Sequence, residues 1–166
     1  MKTILLIAAT IFLSVAANSQ VTKVSLQASG LTCSMCSNAI YRALKSLDFV
    51  DKIDANIKTS TFEITFKLNR KVDFDKLKNK VEGAGFSVAG FTAAMQFNNV
   101  KVKSNEPITV GDKTLQFVNV KEQTLTGLKT IKVIDKGFVS AKEYKKNSLA
   151  SADTKGGKLY HVNIII

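Results

Sequence analysis

Only two of the 166 residues are cysteine, one is proline and one is histidine. Two cysteines are too few for a disulfide scaffold. One histidine, His161, far along the chain from Cys33 and Cys36, leaves too few ligands for a closed tetrahedral zinc site, which needs four. Arginine is scarce too, with Arg42 and Arg70 the two present. The net charge of +11 therefore rests on lysines scattered singly among apolar and polar residues, a pattern of solvated faces rather than of a nucleic-acid surface. No low-complexity segment and no internal repeat is visible. No Ser-His-Asp set, carboxylate pair, phosphate loop or His-x-x-x-His spacing stands out, so no enzyme is expected. Asp73 and Asp75 flank a helix start, where capping explains them. His161, Tyr144 and Tyr160 read as packing or surface residues.

What is present begins with an apolar run at the start of the chain. Lys2 precedes a continuous apolar stretch from Ile4 to about Ala17, and small residues follow. That order is the signature of a secretory leader, and the run is shorter than a membrane-spanning helix requires. Residues 1–19 are read as a signal peptide, with cleavage after Ser19, or alternatively after Ala17. The mature chain is then exported, to a periplasm or beyond, and spans no membrane.

From Val21 the pattern "VTKVSLQA" places Val24, Leu26 and Ala28 on one face of a strand. After Gly30 come the two cysteines, then Ala39, Ile40, Ala43, Leu44 and Leu47 at helical spacing, with Ser34 or Thr32 as a possible cap. Ile53, Ala55 and Ile57 alternate, and Phe62, Ile64, Phe66 and Leu68 alternate more cleanly, as a hairpin would. Asp73 caps a second helix with Phe74, Leu77, Val81 and Ala84 on its apolar stripe, ended by Gly83 and Gly85. "FSVAGF" returns as a short strand. The order strand, helix, strand, strand, helix, strand predicts a ferredoxin-like βαββαβ unit of the α+β class over residues 20–91.

Residues 92–166 change character. Several strand-like runs follow one another, Gly111-Asp112 marks a tight turn, one short helix fits "SAKEYKKNSLA", and "SADTKGGK" reads as a loop. These predict a small mostly-β second domain, a barrel or sandwich of four to six strands. The alternative is that its strands extend the first sheet.

The cysteine pair carries the chemistry. Cys33 lies in the strand-to-helix loop and Cys36 in the first helical turn, a spacing that lets both sulfurs converge. A helix N-terminus favours the thiolate, and thiolate is the metal-ligating form. Two soft sulfurs suit Cu(I) above all, or Hg(II), with Zn(II) as the third candidate. A low coordination number leaves room for an incoming thiolate from a partner.

"GLTCSMCSNAIYRALKSL" resembles the metal-binding motif of the heavy-metal-associated domain family, GMTCxxC followed by an amphipathic helix. That family includes copper chaperones, the N-terminal domains of copper-transporting ATPases and a periplasmic mercury-binding protein. The resemblance runs from about Val21 to Phe91 and includes "GAGF". It implies Cys33 and Cys36 as ligands, Thr32 as a residue shaping the loop, and Phe86 at the position near the metal. Leu31 stands where the family usually has Met, a buried prop that Leu can replace. Met35 and Ser34 hold the variable positions between the cysteines, and Met35 is read as solvent-facing rather than as a ligand.

The expected function is binding of Cu(I), or another thiophilic ion, followed by buffering or transfer to a partner. Lys45 and Lys52 point to an acidic metal-donating or metal-accepting protein. Two other readings stay open: an extracytoplasmic adaptor with vestigial metal binding, and a thiol–disulfide redox protein. Against the latter, Leu31-Thr32 rather than an aromatic precedes Cys33, and Pro107 does not supply a thioredoxin-like loop. The metal, the partner, the role of residues 92–166 and the oxidation state of the thiols are not decided by the sequence.

Overall fold

A computed structural model describes residues 21–31, 33–147 and 158–165. The expected leader, the role of Thr32 and most of the "SADTKGGK" segment lie outside the described residues. Within them the order is β1 (Val21–Ser29), α1 (Ser34–Lys45), β2 (Val50–Asn56), β3 (Thr61–Phe66), α2 (Phe74–Gly83), β4 (Ser87–Val102), β5 (Pro107–Val110), β6 (Lys113–Phe117), β7 (Gln123–Val133), α3 (Ala141–Asn147) and β8 (Leu159–Ile165).

The first six elements form the expected βαββαβ unit, with strand order β2-β3-β1-β4 and antiparallel neighbours. Val24, Leu26 and Ala28 of β1 and Phe62 and Ile64 of β3 are buried on the face that α1 and α2 cover. Ile40 and Leu44 from α1 and Phe74, Leu77 and Val81 from α2 close the layer, each spaced three or four residues apart as an apolar stripe requires. The Asp73 carboxylate accepts the Lys76 N–H at 3.0 Å, the expected N-cap of α2. Leu68 departs from the expected alternation: β3 ends at Phe66 and Leu68 is exposed. Ile57 likewise lies beyond β2 and is exposed.

The second half corrects the expectation of a separate small β domain. The boundary expected after residue 91 falls inside β4, one strand of 16 residues. β7 pairs with β4 along most of its length, β8 adds to β7, and β6 and β5 follow, giving one sheet ordered β2-β3-β1-β4-β7-β8-β6-β5. The physical reason lies in the first unit. Its order leaves β4 at an edge, and an unpaired edge offers a row of N–H and C=O groups to the next strand. β7 takes that edge within the same chain. Phe91, Phe97, Phe117, Phe138 and Tyr160 then join the residues under α1 and α2 in one continuous core.

A kink in β4 lets the second half bury its own side chains. The register with β7 shifts between Phe97, which faces Gly127 at φ 81°, and Val100, and Asn99 between them adopts a positive φ of 51°. The Thr126 hydroxyl donates to Asn99 Oδ1 at 2.8 Å and pins the irregularity. Such a bulge bends a strand and raises its twist. At its near side Phe97 meets Phe117 edge to face, centroids 6.3 Å apart, and β5 comes back toward β4. Gly111 and Asp112 make the two-residue turn expected between β5 and β6.

Candidate metal centre

β1 delivers the chain to one end of the sheet, and Gly30, at φ 82°, turns it toward α1. Leu31 packs partly buried against the core, which anchors the loop from beneath as its motif position implied. Cys33 is the N-cap residue of α1, with extended backbone at φ −153° and ψ 164°. Its carbonyl accepts the Ser37 N–H at 3.3 Å, which starts the helix. α1 thus begins at Ser34 with Cys36 in its first turn as expected, but the cap is Cys33 rather than Ser34 or Thr32, and no side chain caps it.

The two sulfurs converge. Cys33 Sγ and Cys36 Sγ lie 3.0 Å apart, with Cys33 exposed and Cys36 half-buried. No disulfide joins them, since a covalent bond would hold the sulfurs at about 2.05 Å. The first turn of α1 contains no acidic residue, so the positive end of the helix dipole is not offset there. Met35, between the cysteines, is 80% exposed and points away from the core. Phe86 is partly buried against the core, its N–H held by the Val81 carbonyl at 3.2 Å at the end of α2.

Among the described residues no third or fourth His, Cys, Asp or Glu gathers into a metal-binding group. The one histidine is committed elsewhere. His161 lies on β8, three strands from β1, and Asp135 takes both its backbone N–H at 2.9 Å and its Nδ1 at 2.7 Å. The packing role expected of Tyr160 is extended. Its hydroxyl donates to Asp75 Oδ2 at 2.7 Å, and Lys158 also reaches the Asp75 carboxylate. Asp75, read from the sequence as a helix-start residue, therefore holds the second half of the chain. Only the alternation of β8 could have pointed Tyr160 inward; nothing in the sequence pairs it with a residue 85 positions earlier.

Residues 25–87 match the model of the heavy-metal-associated domain. The mercuric transport protein periplasmic component of Pseudomonas fluorescens is 33% identical over 63 residues, 38% of this chain and 68% of that protein. The chain belongs to the heavy-metal-associated domain family. A probable copper-exporting P-type ATPase of Archaeoglobus fulgidus is 32% identical over 71 residues, which are 43% of this chain and 9% of the ATPase. The chain thus spans a small part of that pump. A yeast copper transporter domain, solved in apo and Cu(I)-loaded states, is 33% identical over 40% of this chain and 90% of its own, with a TM-score of 0.36. The heavy-metal-associated unit accounts for β1 through the start of β4. The remaining strands are an addition to it.

Proposed function

We propose that this is an exported carrier of a soft metal ion, Cu(I) in the first place, which Cys33 and Cys36 clasp between their sulfurs. The observation that carries the reading is the pair of thiols 3.0 Å apart at an exposed helix start. Two thiolates at a surface suit an ion content with two sulfur ligands, and the lack of a third ligand among the described residues favours Cu(I) or Hg(II) over Zn(II). The names of the relatives, a copper-exporting ATPase and a mercuric transport component, support the same class of cargo.

Transfer proceeds by ligand exchange. A partner thiolate bonds to the ion, one protein sulfur leaves as thiolate, and a second exchange completes the handover without any change in the ion's oxidation state. Exposure of Cys33 supplies the point of entry. The partner is read as an acidic protein. Among the described residues no helix is long and apolar enough to cross a membrane.

The deciding measurement is an anaerobic titration of the reduced protein with Cu(I) against a competing chelator. One ion per chain is expected, and Cys33→Ser with Cys36→Ser should abolish competition. Unchanged affinity in the double variant would sink the proposal.

A further inference from the structure

The sheet face opposite α1 and α2 carries a feature that metal binding does not use. In register, Thr92, Lys132 and Asn163 lie side by side, as do Ala94, Thr130 and Ile165. Alternate residues of a strand share a face, so Leu128, Thr130 and Lys132 project together from β7. α3 rests on this face through Glu143, whose carboxylate meets Lys132 Nζ at 2.5 Å. Asn147, one turn later, also faces inward, with its Nδ2 buried. Lys142, Lys145 and Lys146 are left on the outer side of α3 and all three are exposed.

The charge is one-sided for a structural reason. Lys132 and the three lysines of α3 face one acid there, Glu143, which Lys132 takes up. The outward charge is therefore positive. Leu128, 58% exposed, and Ile165, 42% exposed, add apolar surface on the same face.

We propose that this face docks on an anionic lipid bilayer. A lysine cluster beside exposed apolar side chains is the chemistry of an anionic lipid surface. Lysine acts as a mobile point charge that needs no bidentate partner, and clusters of it are attracted to anionic headgroups. Leu128 and Ile165 then enter the headgroup boundary as the apolar part of an interfacial contact. The inference stands apart from the thiolate site.

The test is vesicle sedimentation with the chain from Gln20 onward, which contains every described element. Binding should be strong to phosphatidylcholine mixed with phosphatidylglycerol, weak to phosphatidylcholine alone, and reduced by salt. Neutralising Lys142 and Lys146 (Lys142→Gln with Lys146→Gln) should weaken binding by roughly thirtyfold, from the free energy each surface lysine contributes. Lys58→Gln with Lys76→Gln removes the same charge away from this face and should cost less than about threefold. Leu128→Ser should weaken binding at high salt as well as low. Equal losses in the two lysine pairs would show attraction by net charge alone and overturn the proposal. So would equal binding to both vesicle types, or a loss of vesicle binding alongside lysine-dependent capture of an acidic protein.

Discussion

The Tyr160 hydroxyl donates to Asp75 Oδ2 at 2.7 Å and ties the last strand to the second helix. Around it, Phe74 lies 5.3 Å from the Tyr160 ring and Phe138 lies 5.9 Å away. Gly137 comes so near α2 that an added Cβ would stand 3.2 Å from Lys78 Cδ. The added half of the chain grips the flank of α2 that faces away from α1.

Tyr160→Phe isolates one part of this grip. The ring packing survives, and Asp75 loses one of its hydrogen bonds while keeping Lys158. A hydrogen bond to a charged group contributes about 1.5–3 kcal/mol. Urea unfolding should show the midpoint falling by an amount in that range with the slope unchanged. No change in midpoint would mean that the bond has no net value.

The same pair sets a pH dependence at both ends. Burial pushes the Asp75 carboxyl upward, but hydrogen bonds from Lys158 and Tyr160 and the charges of Lys158 and Lys78 outweigh it and hold the group below the ordinary carboxylate range. A depressed folded value contributes stability above the unfolded value, near 4, that is lost as pH falls through the folded one. Burial, with the Asp75 hydrogen bond and charge, raises the Tyr160 phenol. That contribution is complete below the unfolded value, about 10, and is lost as pH rises beyond it. Thermal melts across pH should show Tyr160→Phe flattening the alkaline limb. An alkaline limb identical to the parent would refute the assignment.

Cutting the chain after Phe91 should abolish cooperative folding of residues 20–91. The cut removes most of β4, strips its edge partner β7 and exposes Phe74 and Phe91, which pack at 5.0 Å against each other under Phe138. Circular dichroism and amide exchange of the shortened chain give the answer. A sharp unfolding transition close to that of the whole protein would show that the added strands are dispensable for the heavy-metal-associated unit.

X-ray absorption of the Cu(I)-loaded protein should report two sulfur scatterers. Met35 is 80% exposed and turned to solvent, so it contributes no third sulfur at rest. Met35→Leu should leave the spectrum unchanged. A third sulfur lost in that variant would bring Met35 into the site.

Docking of an acidic metal acceptor should slow as salt rises, because lysines steer the encounter. Lys45, in the last turn of α1, donates to the neutral Asp51 carbonyl and should contribute more than Lys52, whose charge the Asp54 carboxylate offsets at 3.0 Å. Stopped-flow association rates of Lys45→Gln and Lys52→Gln rank the two. The reverse order, or a rate indifferent to salt, would remove this picture of docking.

The first half was legible because its signals are local. Alternation in β1 and β3, the stripes of α1 and α2 and the Asp73 cap each lie within a few residues, and the cysteine pair sits where one strand hands over to one helix. The cap of α1 was not legible because Cys33 caps it by backbone geometry alone, without a side-chain bond to announce it. The strands expected over "FSVAGF" and "AMQFNNVKVKS" are one strand of 16 residues, because β7 pairs along it on both sides of the bulge at Asn98 and Asn99.

Sequence alone determined the βαββαβ order, the position of Cys33 and Cys36 at a helix start, and the polar character of the lysines, since each depends on neighbours along the chain. Tertiary structure alone decided that β7 takes the edge of β4, that Asp75 meets Tyr160, that Asp135 occupies His161, and that the lysines of α3 face outward together. Those outcomes depend on which strand edge is left unpaired and on which side chains burial forces to find partners. Neither quantity is defined until distant segments have packed.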